Sequence, residues 1–140
     1  MIKKEIRMTK PVNSLNCGSS VWDFMQACAQ QTNDVPTECW ESQGFSIYKK
    51  LVEEEFDEVM EAIESKDIKN LTQELVDLIV VSLGLAHTMG LPMQAMWDEV
   101  ARANASKVDP VTGKVTRRED GKILKGPSFV PVSLDRVFAK

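Results

Sequence analysis

Residues 71–89 read LTQELVDLIVVSLGLAHTM. Leu75, Val76, Leu78, Ile79, Val80, Val81, Leu83, Leu85 and Ala86 surround this stretch on nearly every side when it is wound as a helix. A helix that is apolar all round is a buried central helix. Asp67 can cap a short lead into it, and Gly90 is a suitable C-terminal stop. Two carboxylates interrupt the pattern. Glu74 and Asp77 stand three apart and so share a face, with Asp77 inside the apolar run. Burying a carboxylate costs on the order of several kcal/mol unless a partner or a metal compensates it. The nearby bases are few: Lys66 and Lys69 precede the helix, and Arg102 is much further along.

The preceding segment supplies more negative charge. A helix is predicted over 45–65, with Val52, Phe56, Val59 and Ile63 on one face at spacings of four, three and four. Glu53, Glu54, Glu55, Asp57, Glu58 and Glu61 fall within nine positions. At 3.6 residues per turn, Glu55 and Glu58 stand about 60° apart. Glu55 borders the apolar stripe, Glu58 lies just beyond it and Glu54 beyond that. If this edge meets Glu74 and Asp77, four carboxylates converge and raise one another's pKa. Hard divalent cations relieve that repulsion, and Mg²⁺ with oxygen ligands fits the donor set. A single Glu-x-x-Glu pair carries little weight in a chain with 21 acidic residues. Two pairs on consecutive helices carry much more.

Outside this pair of helices the chain divides simply. Residues 1–19 lack helical periodicity and read as an irregular arm, broken by Pro11, Asn13, Asn16 and Gly18. Ser19 or Ser20 can cap a first helix over 21–31, with Trp22, Met25 and Cys28/Ala29 along one side. Residues 33–36 end it. A fourth helix is predicted over 92–106, with Pro92 in its first turn. Residues 20–107 thus form a helical body, and 108–140 a turn-rich basic tail with a possible short strand at 114–117. All of 1–140 is expected to make one domain.

The whole chain has 140 residues, 43% of them hydrophobic and 27% charged, as in ordinary globular proteins. No uninterrupted apolar run reaches the roughly 18 residues that span a bilayer, and the charged N-terminus lacks a signal-peptide core. Cys17, Cys28 and Cys39 are an odd number at wide spacing, which fits a reducing cytoplasm better than a disulfide framework. With His87 as the one histidine, a Ser-His-Asp triad or histidine-rich metal site has little to draw on. His87 reads as a surface or interface residue. Residues 101–140 carry +5 and the first hundred −9. An acidic body with a basic tail argues against nucleic acid as a partner.

The segment Leu51-Val-Glu-Glu-Glu-Phe-Asp-Glu58, followed by Glu74-Leu-Val-Asp77-Leu-Ile, resembles the two-part acidic signature of the all-α nucleoside triphosphate pyrophosphatases. That superfamily includes MazG, the dimeric dUTPases and phosphoribosyl-ATP pyrophosphohydrolase. The ending, Val100-Ala-Arg-Ala-Asn104-Ala-Ser-Lys107 and Arg118-Glu-Asp-Gly-Lys122-Ile-Leu-Lys125-Gly-Pro127, resembles a MazG-like branch common in phages and bacteria. There the usual run is close to Ser-Asn-Met-Ser-Lys, and here it is Ala103-Asn104-Ala105-Ser106-Lys107. The resemblance spans about residues 20–132 and implies an all-α, MazG-like bundle of about four helices. It implies Mg²⁺, with Mn²⁺ as a substitute, held by Glu55, Glu58, Glu74 and Asp77. The implied reaction splits a nucleoside triphosphate into a monophosphate and pyrophosphate. Catalytic roles would fall to Glu55, Glu58 and Glu54, the last as outer ligand or general base. Asn104, Lys107, Lys122 and Lys125 would meet the phosphates, and Trp22 and Asn33 the base, although core packing is the stronger reading of Trp22. The phage-like branch favours a deoxynucleotide, with a purine such as dGTP ahead.

Two other readings remain open. A phosphoribosyl-ATP pyrophosphohydrolase would carry the same carboxylates, and a non-catalytic helical interaction module would carry them as a solvated face. In either enzyme the third helix needs neighbours on all sides, and Val76, Val80 and Leu83 would otherwise form an uncovered strip. A homodimer, or a dimer-based homotetramer, is therefore expected.

Overall fold

The computed structural model describes residues 17–138, so the arm expected over 1–19 lies almost entirely outside the described residues. The described chain is helical, with helices α1 (Cys17–Ala27), α2 (Gln43–Ser65), α3 (Ile68–Met89), α4 (Met93–Ala105) and the short α5 (Leu134–Phe138). It falls into two compact units that divide after Gly90. Helix α4, placed in the helical body by the sequence, is in the second unit with the tail.

The first unit is built on α2 and α3. The Ser42 side chain accepts from the Phe45 amide at 3.1 Å and starts α2 two residues before the expected Phe45. Lys66 then takes a left-handed conformation, and its amide closes onto Ala62 and Ile63. Asp67 follows directly, its Oδ1 accepting from Lys69 and Asn70 at 3.1 Å each. A cap of this kind is worth about 1 kcal/mol, and it starts α3 at Ile68 rather than Leu71. A two-residue turn between long helices forces them back antiparallel.

That antiparallel register is visible at two levels. Near one end, the Tyr48 ring lies on Gly84, where a Cβ would come within 2.0 Å of a ring carbon. Nearer the turn, Glu55 and Glu58 come up against Glu74. Val21 and Met25 of α1 complete a core with Tyr48 and Val81, flanked by Leu51, Val52, Leu78, Val80, Leu83 and Leu85. Val80 and Leu83 therefore pack inside the unit, contrary to the uncovered strip expected of them. Phe56 and Ile63 depart in the other direction. Both were expected on the core face of α2, yet they are about half exposed, as are Met60 on α2 and Leu75, Val76 and Ile79 on α3.

Helix α1 begins at Cys17, four residues early, so Ser19 and Ser20 lie within it and do not cap it. It ends at Ala27, where Ala29 turns left-handed. The following loop closes the far end of α3. The Asn33 amide donates to His87 O, its side-chain Nδ2 to Thr88 O and the Thr37 amide to Met89 O. Gly90 completes this end with φ +65°, and a Cβ there would strike the Val35 carbonyl at 2.1 Å. Helix α3 is long and apolar enough to cross a membrane by length and composition alone. Its Glu74 and Asp77 face and its Gly84 face are instead turned to α2, as in a bundle helix.

The second unit folds the tail onto α4. Glu99 is buried, and Arg102 reaches both of its carboxylate oxygens at 2.7 and 2.9 Å. The Ser133 amide donates to Glu99 at 2.8 Å, and Arg102 also donates to Pro131 O at 2.8 Å. Ser106 and Ser128 add further bonds between the end of α4 and the returning chain. Within this unit the tail is latched down, not merely solvated. The strand expected at 114–117 reduces to one antiparallel bridge, Arg117 with Ile123.

Candidate active site

The acidic edges of α2 and α3 meet, and three of the four carboxylates expected there converge. Glu55, Glu58 and Glu74 each offer a carboxylate oxygen, all within 4.8 Å of one another. Glu74 is only 6% exposed. One oxygen of Glu55 and one of Glu74 are buried without any hydrogen-bond partner. Among the described residues, no lysine or arginine forms an ion pair with these three.

The electrostatic consequence follows. Burial pushes the Glu55 carboxyl above its usual range, and the charges of Glu58, Asp77 and Glu54 push it further. Burial is also the leading cause for Glu74, followed by its hydrogen bond with Glu58 and the charges of Glu58, Asp77 and Glu55. Asp77 thus lies close enough to act on both. Its own oxygen is not among the three that converge, and Gln73 Nε2 contacts it at 3.4 Å. Glu54 is exposed and pairs with Lys50 at 3.8 Å.

This donor set fits a hard divalent cation. All its ligand atoms are carboxylate oxygens. Two buried oxygens lack the partners that folded proteins almost always provide. Among the described residues, no ion pair compensates the cluster's charge.

The other expected site residues are placed as follows. Trp22 is half-buried and meets the His87 ring edge-on at 5.2 Å, while His87 Nε2 contacts Gly18 O at 2.9 Å. This is the packing reading of Trp22. Asn33 spends its side-chain donor on the α3 terminus, 2.5 Å from Thr88 O. In the second unit, Lys107 Nζ donates to Asn104 Oδ1 at 2.9 Å, and Lys125 lies over the Phe129 ring at 5.2 Å. Lys122 is exposed in the turn closed by the Arg117–Ile123 bridge. Lys107 and Lys114 line a polar hollow of about 160 Å³ with Thr112, Thr116 and Ser128.

Sequence reasoning missed the cleft of about 280 Å³ beside Tyr48, where the start of α2 meets the chain leaving α1. Its one sequence signal is Gly84, a residue without a side chain in an otherwise bulky apolar helix.

A helical bundle that joins two carboxylate pairs across an antiparallel helix hairpin defines the MazG-like all-α superfamily of nucleotide pyrophosphohydrolases. Residues 21–104 match the phosphoribosyl-ATP pyrophosphohydrolase family, and the chain belongs to that family. No curated protein matches it. The matched span holds α2, α3, all four expected metal ligands and Glu54, and it stops before the basic tail.

Proposed function

We propose that the protein is a divalent-cation-dependent pyrophosphohydrolase that cleaves a nucleoside triphosphate between its α and β phosphates. The products would be a nucleoside monophosphate and pyrophosphate. The observation that carries this reading is the converged Glu55–Glu58–Glu74 cluster with its two partnerless buried oxygens. Glu55, Glu58 and Glu74, with Asp77 beside them, would hold Mg²⁺ or Mn²⁺. When bound, such ions neutralise phosphate charge and make water a better nucleophile. The chain's contribution is positioning, which is most of what phosphoryl transfer requires. Helices α2 and α3 fix the four carboxylates on a rigid hairpin. Glu54, exposed beside the cluster, would act as an outer ligand or accept a proton from water. A deoxynucleotide, with a purine such as dGTP first, is the proposed substrate.

A second reading is favoured by the family match itself: the substrate is phosphoribosyl-ATP. Both readings break the same kind of bond and use the same carboxylates. One experiment tests them together. The ribo- and deoxynucleoside triphosphates and phosphoribosyl-ATP are incubated with the protein and Mg²⁺ or Mn²⁺, and products are separated by ion exchange. Pyrophosphate plus a monophosphate is expected, and the best substrate chooses between the readings. Inorganic phosphate with a diphosphate as first product would overturn both.

A further inference from the structure

The cleft beside Tyr48 is lined by polar amides yet holds no carboxylate. Ala29, Gln30 and Gln31 form one wall, and Gly44, Ile47 and Tyr48 of α2 form the other. Its volume of about 280 Å³ is ample for one flat heterocycle. Gly44 lets Gln31 lie close, because a Cβ there would come within 2.7 Å of the Gln31 amide oxygen and shift that side chain.

The Tyr48 hydroxyl donates to Gln30 Oε1 at 2.5 Å. Tyr48 is itself buried and held against Gly84. The Gln30 carbonyl thus already accepts one bond, and its Nε2 hydrogens remain available to a ligand in the cleft that Gln30 lines. Gln31 can both donate and accept. Ile47, 46% exposed, offers an apolar surface to a ring face.

The cleft is also in line with the acidic cluster. Tyr48 and Glu55 are seven residues apart on α2, hence within about 20° on the helix surface and about 10 Å along it. Ile47 and Glu58 are eleven apart, again within about 20°, at about 16 Å. The Tyr48–Glu55 line packs on α3, so a ligand would lie along the neighbouring Ile47–Glu58 edge, reaching from the carboxylates to the cleft over about the length of a nucleotide.

We propose that this cleft is the base-recognition subsite, and that it selects a nucleobase with a keto oxygen, guanine foremost, through the donor face of Gln30. The proposal rests on the pyrophosphohydrolase reading for its substrate but not for its binding. Guanine offers O6 and N7 as acceptors, whereas adenine and cytosine present an amino group at the equivalent edge. Gln31 can accept from the guanine N1 and N2 hydrogens.

The test has two arms. In the first, kcat/KM is measured for GTP, dGTP, ITP, ATP and CTP with the wild type and with Gln30→Leu, Gln30→Glu and Gln31→Leu. The expected result is a preference for GTP, dGTP and ITP that falls about tenfold in Gln30→Leu. In Gln30→Glu, which presents only acceptors, the preference should shift toward ATP or CTP. In the second arm, guanosine, inosine and adenosine are titrated into the same proteins and followed by amide chemical shifts. Guanosine and inosine should perturb residues 29–31 and 44–48 of the wild type and not of Gln30→Leu. Such binding without any triphosphate hydrolysis would uphold the cleft and sink the enzymatic reading. Hydrolysis with the same base ratios in all four proteins, or nucleoside shifts away from the cleft, would overturn the cleft. Circular dichroism of each variant separates these outcomes from misfolding.

Discussion

Gly84→Ala is the smallest change that tests the helix hairpin. A Cβ at position 84 would lie 2.0 Å from one Tyr48 ring carbon and 2.6 Å from two more. The ring has no easy escape, because it is buried in the core with Val21, Met25 and Val81 and its hydroxyl is bound to Gln30. Overpacking of this kind costs about 1–3 kcal/mol. Displacing the ring also costs the hydrogen bond, about 1 kcal/mol. Against this, alanine is favoured over glycine inside a helix by about 1 kcal/mol. The balance is a loss of about 1–3 kcal/mol. For a chain of this length each kcal/mol lowers Tm by about 4 °C, so the expected drop is about 4–12 °C. Gly18→Ala provides the contrast, since among the described residues no packing neighbour lies within 4 Å of its added Cβ. There the same chemical change should leave Tm level or raise it by a few degrees. Thermal unfolding followed at 222 nm would measure both. A Gly84→Ala protein as stable as the wild type would refute the Tyr48–Gly84 contact and the helix register built on it.

Glu58→Gln and Asp77→Asn should each lower pyrophosphate release by more than about 100-fold, since even outer partners of metal ligands are worth 10–100-fold; Tm without metal should hold or rise, and the Tm increase on adding Mg²⁺ should shrink, so near-full activity in either variant would exclude that residue. The pH dependence should split by unit. Arg102 holds Glu99 down to about 2, so its contribution is complete above about 4.5 and is lost as pH falls toward 2. The protection factor of the Ser133 amide, its exchange rate relative to the intrinsic rate at each pH, should therefore fall across that window, and be lower already at pH 7 in Glu99→Gln. Glu55 and Glu74 are shifted the other way, so the metal-free first unit should gain stability from them as pH falls from neutral toward 4.5. The half-exposed strips Leu75/Val76/Ile79 and Phe56/Met60/Ile63 predict a dimer, with light scattering giving at least twice the 15.7 kDa chain mass and Val76→Asp lowering it; a fully active 15.7 kDa species would defeat the dimer.

The parts of this structure that were readable in advance are those with local causes. Asp67 begins and Gly90 ends α3 through their own neighbours, and the shared faces of Glu55 with Glu58 and of Glu74 with Asp77 follow from helix periodicity. Where a residue's partner is remote, the sequence misled. Asn33 looked available to a base, but it serves the carbonyl of Thr88, 55 positions away. Phe56 and Ile63 have core periodicity, and periodicity cannot say whether the covering surface belongs to the same chain. The Glu99 latch was missed because Ser133 and Arg136, whose guanidinium lies 3.8 Å from Glu99, carry no pattern that points to α4. The Gln30–Tyr48 cleft depends on Gly84, whose role emerges only when two helices are laid side by side.

The two-residue link at Lys66–Asp67 makes α2 and α3 a ruler with two marks. Tyr48 against Gly84 is one mark, and the carboxylates are the other. A residue inserted or deleted between 48 and 58, or between 74 and 84, turns one mark by about 100° relative to its counterpart. Both cannot then be kept. Length changes in a related chain should therefore be absent from these two spans and collect elsewhere. Side-chain changes at 30, 31 and 47 leave the ruler intact, so a lineage can explore new ligands at one end while the chemistry at the other stays fixed.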